Sequence, residues 1–509
     1  MIKLKQQSGV TTYLNYGSSN TLYNPVRPGN YVNRLLNIKL HRHFVDNRRY
    51  VAGGGPPGFN VDSINQFMPA RMPQGFWTDE YLQLLKDAGV ENIWSLQGKF
   101  PFQDTIGTPS KVMPINEADY PDQGNPGVWF ELGKYAGQVA IRYADDSSAF
   151  IDSADVWQHD PNSITNLHPS YLSNTPKAGM GLVQIIQVLN EPNVNPDWIG
   201  ATNSITAEGT AAAYYAVYTE VRKYSQTIKI VTGPPIGIKN DREFLRRMLD
   251  HLKVLFGGKV PSDVYISFHW YMRELNQNQG QGGTDTGASP EFVDAYELGL
   301  WVNDLCHEFD IAGWYCTETG WSSSPNIDTS KNAAPIQEGF TQLESHGVLM
   351  TRLVLMWSSL DKHMATTFWH CKDAYDSGAY FNGGLLYKDA ESTRKPSLRI
   401  YEDFISSWGE YDVTGYYPNS LTNEYYATLL GPTGDFITLG WSDKDNSGEL
   451  TPDPTIVSTV ILPDPVPTGS LPPTGSEKPT IEVDFTSLKS ITFETETENI
   501  RFVISGSVV

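Results

Sequence analysis

Residues 183–193, VQIIQVLNEPN, run almost unbroken apolar chain into an abrupt polar end. Val183 to Leu189 reads as a strand buried on both faces, because a half-exposed strand would alternate apolar and polar positions. Asn190 and Glu191 then fall just past its C-terminal end. The pattern downstream repeats this unit. A helical stretch near 207–225 precedes a strand at Ile228 to Thr232, and a helix over 241–256 carries Phe244, Leu245, Met248, Leu249, Leu252 and Leu255 on one stripe. Asp263 to Phe268 reads as a strand, 290–309 as a helix, Ala312 to Thr317 as a strand, 335–346 as a helix and Met350 to Met356 as a strand. A last helix over 396–407 opens with Pro396.

Strand–helix units repeated in this way, with nearly all-apolar strands, predict a parallel sheet covered by helices. Upstream, Thr78 to Ala88 reads as a helix stopped by Gly89, Val90 to Leu96 as a strand and Trp129 to Tyr143 as a helix. Numbering back from Met350–Met356 as strand eight makes Val183–Leu189 the fourth and Val90–Leu96 the third. Strands one and two are then expected between about 31 and 77, where the pattern is weak. The predicted fold class is α/β: a (β/α)8 barrel over residues 31–408, with residues 1–30 as an N-terminal segment packing on a smaller C-terminal domain. That domain, 409–509, is expected to be all-β and sandwich-like, because short β-rich runs alternate there with Pro, Gly and Ser. The stretch 463–479, PDPVPTGSLPPTGSEKP, is a linker or a long loop within it.

A second strand end matches the first. In AGWYCTETGW, residues 312–321, Glu318 follows its strand as Glu191 follows the fourth, 127 positions earlier. Three units of roughly 40 residues separate strands four and seven of an eight-stranded barrel, whose C-terminal rim carries active sites. Two carboxylates facing each other there suit glycoside cleavage. One attacks the anomeric carbon while the other serves the leaving oxygen, and a separation of about 5–5.5 Å implies retention. Glu191 would begin protonated, favoured by repulsion from a second carboxylate, and Glu318 ionised.

Composition narrows the classes further. The 58 acidic against 37 basic residues give a net charge of −21, which disfavours nucleic acid and anionic membrane surfaces as partners. Cys306, Cys316 and Cys371 are too few and scattered for a disulfide framework and lack metal-ligand spacing, so free thiols are expected. Residues 1–17 lack the apolar core of a signal peptide. The expected location is secreted or periplasmic with the leader removed, the alternative being cytoplasmic. Asp443–Gly448, DKDNSG, begins like a calcium loop, but position twelve is Pro454, so a polar turn is the reading. The proposed chemistry requires no cofactor and no metal. The oligomeric state stays open.

Asn190-Glu191-Pro192 and Glu318-Thr319-Gly320-Trp321 resemble the acid/base and nucleophile motifs of clan A glycoside hydrolases, over about residues 31–408. The phrase QVLNEPN, the following Trp198 and the helix 129–143 look most like glycoside hydrolase family 39 and its relatives. The resemblance implies a retaining β-glycosidase acting on a β-linked oligo- or polysaccharide, with Glu191 as acid/base and Glu318 as nucleophile. It also implies substrate-side roles for other residues. Asn190 would bond the sugar 2-hydroxyl. His269 and Tyr271 in SFHWYM would line the nucleophile's side, and Trp357, closing strand eight in RLVLMWSS, would be the platform under the reacting sugar. Trp321 is a further substrate-binding candidate. An early basic residue near the nucleophile is expected, and His41, Arg42 and His43 in KLHRHF are the candidates.

The rim segments 270–289 and 357–395, the latter with Trp369, Tyr375, Tyr380 and Phe381, would line the cleft and suggest internal cleavage. Insertion 144–182 is expected on the opposite face. The alternatives are a transglycosylase with the same site and an inactive carbohydrate-binding barrel.

Overall fold

Eight parallel strands close into a barrel in sequence order, with β1 hydrogen-bonded to β8 in parallel register. They are β1 (Ser8–Tyr13), β2 (Leu40–Asp46), β3 (Glu91–Gln97), β4 (Ile185–Val188), β5 (Lys229–Val231), β6 (Val264–His269), β7 (Gly313–Thr319) and β8 (His363–Phe368). The computed structural model describes residues 2–13, 34–35, 37–46, 78–97, 114–115, 117–147, 178–193, 204–237, 242–272, 287–322, 334–337, 340–369, 371, 383–387, 393–419, 424–442, 458–461, 495–496 and 499–500. Trp198, Tyr375, Tyr380, Phe381, Asp443–Gly448 and the 463–479 stretch lie outside them.

Seven α-helices among the described residues follow β2 to β8 in turn: α1 (Thr78–Asp87), α2 (Phe130–Tyr143), α3 (Ala207–Val221), α4 (Arg242–Leu255), α5 (Ala295–Glu308), α6 (Gln342–Ser358) and α7 (Pro396–Trp408). The stripe on α4 is buried at Phe244, Leu245, Met248, Leu249 and Leu252. Thr341 and Glu344 close a capping box that starts α6, satisfying N–H groups the first turn leaves free. None of these helices is long and apolar enough to cross a membrane.

Two expectations need correction. Met350–Met356 is not strand eight; it lies inside α6, whose residues from Leu349 through Ser358 are buried apart from Thr351. A helix covered on nearly every side loses its amphipathic period and reads as an apolar run, so its sequence is ambiguous between helix and buried strand. Strand eight comes one step later, at HMATTF. Strand one is likewise not within 31–77 but at Ser8–Tyr13, so the barrel takes in residues 8–13 of the segment set apart as 1–30. The start of that segment lies against the turn after α7: Leu4 N–H donates to Tyr411 O, Lys5 N–H to Gly409 O, and Lys3 pairs with Asp412.

The barrel interior is layered. Leu40, Ile93, Ile185, Val231, Tyr315 and Ala365 form an apolar plug. Two residues further along the strands stand Arg42, Ser95, Gln187 and Thr317, buried and polar, toward the C-terminal rim. The ends of insertion 144–182 meet at the other face: Gly179 N–H bonds Ile141 O and Leu182 N–H bonds Tyr143 O, just ahead of β4.

Beyond α7, β9 (Asp412–Asn419), β10 (Glu424–Leu430), β11 (Phe436–Ser442) and β12 (Ser458–Ile461) form an antiparallel sheet in the order β12-β11-β10-β9. Alternate residues Tyr425, Ala427 and Leu429 of β10 are buried, as half-covered strands require. The inner face joins the barrel's core through Tyr416, which packs 4.6 Å from Tyr296 of α5. After Ile461, the described residues show one short pair, β13 (Thr495–Glu496) with β14 (Asn499–Ile500).

Candidate active site

Glu318 reaches the barrel axis through an irregularity in the sheet. Between β6 and β7 the register slips, Phe268 facing Cys316 and His269 facing Glu318, which leaves Thr317 as an extra residue. Strict alternation would turn Glu318 away from the side Thr317 occupies; a bulge lets two consecutive side chains share one face. Gly320, at φ +138, then takes a conformation closed to other residues, and Thr319 O accepts the Trp369 N–H.

Glu191 is aimed by backbone strain. Leu189 and Glu191 both have positive φ, 64° and 44°, which non-glycine residues rarely adopt and which collects at functional sites. The conformation is braced. Gln187 donates from Nε2 to Leu189 O at 2.9 Å, and Asn193 clamps Ile236 by donating to its carbonyl and accepting from its N–H.

The two glutamates meet as the spacing predicted. Glu318 is 3% and Glu191 7% exposed, and single oxygens of each, with one ring nitrogen of His269, lie within 4.8 Å of one another. Arg42 Nη1 donates to Glu318 Oε1 at 2.6 Å, and the Tyr271 hydroxyl donates to Oε2 at 2.8 Å. Arg42 is fully buried and also donates from Nε to Gln187 Oε1 at 2.6 Å and from Nη2 to Asn190 Oδ1 at 2.8 Å. Its planar fork therefore fixes the plane of the Glu318 carboxylate and the Asn190 amide together. With Oδ1 so engaged, Nδ2 of Asn190 is the end left to face a ligand.

His269 stands between the carboxylates, its Nδ1 3.1 Å from Glu191 Oε1 and 3.6 Å from Glu318 Oε2, with Nε2 3.1 Å from Thr317 Oγ1. A hydroxyl both donates and accepts, so either tautomer is satisfied. Behind Glu318, burial pushes the Cys316 thiol well up, and its Sγ lies 3.3 Å from Glu318 O. Glu191, His269 and Glu318 are the one group among the described residues with the ligand set for a cation. The guanidinium already pairs with Glu318, which opposes a dication at that carboxylate.

Of the expected residues, the structure brings together Asn190, Glu191, His269, Tyr271 and Glu318. Among the early basic candidates it selects Arg42, which points inward, while His43 points out to Asn92 and Tyr81. Trp357 is not at the rim. It sits in α6 with no exposed surface and donates its indole N–H to Ala295 O, packing so close to Gly299 that a Cβ there would meet it at 2.7 Å. The residue that closes strand eight is Trp369, partly exposed. Trp321 is 1% exposed and donates its indole N–H to Ala288 O at 2.7 Å, so it anchors the rim segment after β6 and offers no open face to a sugar. Gln187 and Ser95 were missed, although a Gln inside an apolar strand run marks a buried polar contact.

No family model and no curated protein matches this sequence. Among solved structures the fold is similar to that of a family 39 glycoside hydrolase from the gut symbiont Bacteroides cellulosilyticus WH2, at 14% identity over 87% of this chain and 72% of that one, TM-score 0.51. It is also similar to a glucosidase from Croceicoccus marinus, at 11% identity over 86% and 75%, TM-score 0.51. At such identities the likeness is one of fold, and at that level the resemblance to clan A glycoside hydrolases read from the two glutamate motifs holds.

Proposed function

We propose that this chain is a retaining β-glycoside hydrolase that acts on a β-linked oligo- or polysaccharide, with Glu318 as nucleophile and Glu191 as acid/base. The observation that carries the reading is the pair of buried carboxylates whose oxygens approach within 4.8 Å at the barrel mouth. So close an approach supports direct attack by one carboxylate, whereas an inverting pair stands about 6.5–9.5 Å apart to hold a water between them.

The surroundings divide the roles. Two donors, Arg42 and Tyr271, hold the two oxygens of Glu318 and fix its orientation toward the barrel mouth. Glu191 meets the His269 ring, which can accept from a protonated carboxyl or donate to an ionised one. In the first step a Glu318 oxygen bonds to the anomeric carbon, the glycosidic C–O bond breaks, and the Glu191 proton passes to the leaving oxygen. In the second, Glu191 takes a proton from water, the water oxygen bonds to the same carbon, and Glu318 is released. Two displacements retain the β configuration. Asn190 Nδ2 is placed to donate to a sugar hydroxyl, an interaction worth most as charge develops in the transition state.

Glu191→Ala tests the assignment. With a good leaving group this variant should still be glycosylated, and azide should restore turnover and give a β-glycosyl azide; no rescue, or an α-azide, would refute the roles. Internal cleavage and the identity of the sugar follow from a panel of aryl β-glycosides and plant, fungal and algal polysaccharides. An endo-acting enzyme lowers polymer viscosity well before reducing ends accumulate.

A further inference from the structure

The C-terminal sheet touches the barrel through an ion pair that the chemistry above does not use. Glu291 lies in the described stretch just ahead of α5 and has no exposed side-chain surface; Arg352 of α6, 2% exposed, grips it with Nε to Oε1 at 2.9 Å and Nη2 to Oε2 at 2.5 Å. Arg352 Nη1 also donates to Gln337 Oε1 at 2.6 Å. The remaining donor on Glu291 crosses from the other domain: the Trp441 indole N–H of β11 reaches Oε1 at 2.7 Å. Trp441 is 3% exposed and stacks with Tyr416 and Tyr425, so its ring has one orientation.

The segment held in this way bears on the nucleophile. Ala288, three residues before Glu291, donates its N–H to Met272 O at 3.2 Å, and its own carbonyl takes the Trp321 indole N–H. Met272 follows Tyr271, whose hydroxyl holds Glu318 Oε2. Residues 271–272 and 287–291 are thus laced together, with Trp321 pinning Ala288 from just past the end of β7 and Trp441 holding Glu291 from the C-terminal sheet. A buried carboxylate held at both oxygens tolerates little displacement, because losing a partner leaves charge uncompensated in a water-poor setting.

We infer that Trp441 is a positioning residue for the active site, and that the C-terminal sheet acts through the Trp441–Glu291 contact to keep Tyr271 in register with Glu318. The inference rests on the glycosidase reading for its kinetic consequence, not for its structural one. It gives the second domain a role in the reaction that requires no sugar bound to that domain.

The full-length chain carries the test. Trp441→Phe keeps most of the packing and removes only the N–H, leaving Glu291 paired with Arg352. Kinetically, it should lower kcat by about tenfold, equivalent to 1.4 kcal/mol of barrier, with KM for a small aryl glycoside little changed. In a Tyr271→Phe background the same change should cost less than twofold, since the group it positions is already gone. Equal losses in both backgrounds, or no loss in either, would overturn the inference. Amide hydrogen exchange gives a readout independent of turnover: Trp441→Phe should speed exchange in the 287–294 region while α3 stays as protected as before. Unchanged exchange at 287–294 would overturn the inference even if activity fell. A wild-type chain inactive on every glycoside would refute the glycosidase reading and leave exchange to decide this one.

Discussion

Replacing Arg42 by Met should destabilise the barrel and disable it, and the structure sets the size of both effects. The guanidinium is fully buried and bonds Glu318, Gln187 and Asn190. Met fills a comparable volume, so cavity formation is minor and the loss is electrostatic. Breaking a buried pair by removing one partner costs about 3–5 kcal/mol, because the stranded charge stays out of water. Glu318, at 4% side-chain exposure, has little recourse to solvent. Urea unfolding followed by fluorescence and far-UV circular dichroism should show a lower midpoint at unchanged slope. The double variant Arg42→Met/Glu318→Gln removes both charges and should regain on the order of 2 kcal/mol relative to the sum of the single losses. Activity of Arg42→Met should drop by about 10²–10³ in kcat, the scale of losing one preorganised electrostatic partner. Additive losses within about 0.5 kcal/mol would refute the coupling between Arg42 and Glu318.

Three further outcomes are expected. Burial holds His41 down to about 4 and His43, His346 and His363 to about 3, below the ordinary value of 6.5, so the unfolded chain binds more protons than the native one between these limits. Stability is therefore fully present above pH 6.5 and falls on acidification by up to about 1.4 kcal/mol per histidine per pH unit; His346→Leu, which replaces a ring with both nitrogens unpartnered, should flatten that slope in urea titrations at pH 5 and pH 7.5. Trp357→Phe should lower stability by about 1–3 kcal/mol through the lost bond to Ala295 O while leaving KM unchanged; a raised KM would restore it to the substrate site. The buried thiols of Cys306, Cys316 and Cys371 should resist a thiol reagent in the native state and react together on unfolding, which a colorimetric thiol assay reads directly.

What the sequence disclosed follows from where the polar residues sit. The fourth and seventh strands announce themselves because they are largely apolar until just before a glutamate, so Glu191 and Glu318 stand out. Strands one and eight hide because they line the polar layer: SGVTTY and HMATTF are rich in Ser and Thr, and the buried Thr11 and Thr367 bond each other and the Thr317 carbonyl, while Thr366 pairs with the His363 ring. The apolar run taken for strand eight belongs to a helix buried nearly all round, and Trp357 went with it. Arg42 was visible only as one of three candidates, His41, Arg42 and His43, in KLHRHF. Strand alternation splits them into one inward side chain and two outward ones, and choosing the face required the register of β2 against β3. Tertiary contacts such as Trp441 to Glu291 leave no trace in local pattern at all.

The central claim is double displacement by Glu318 and Glu191, and the stereochemistry of the first-formed product tests it most directly. Proton NMR of a rapidly cleaved β-glycoside, recorded before mutarotation, should show the β-anomer first, with the α-anomer growing in later. An α-anomer appearing first would mean a single displacement by water and would contradict the account.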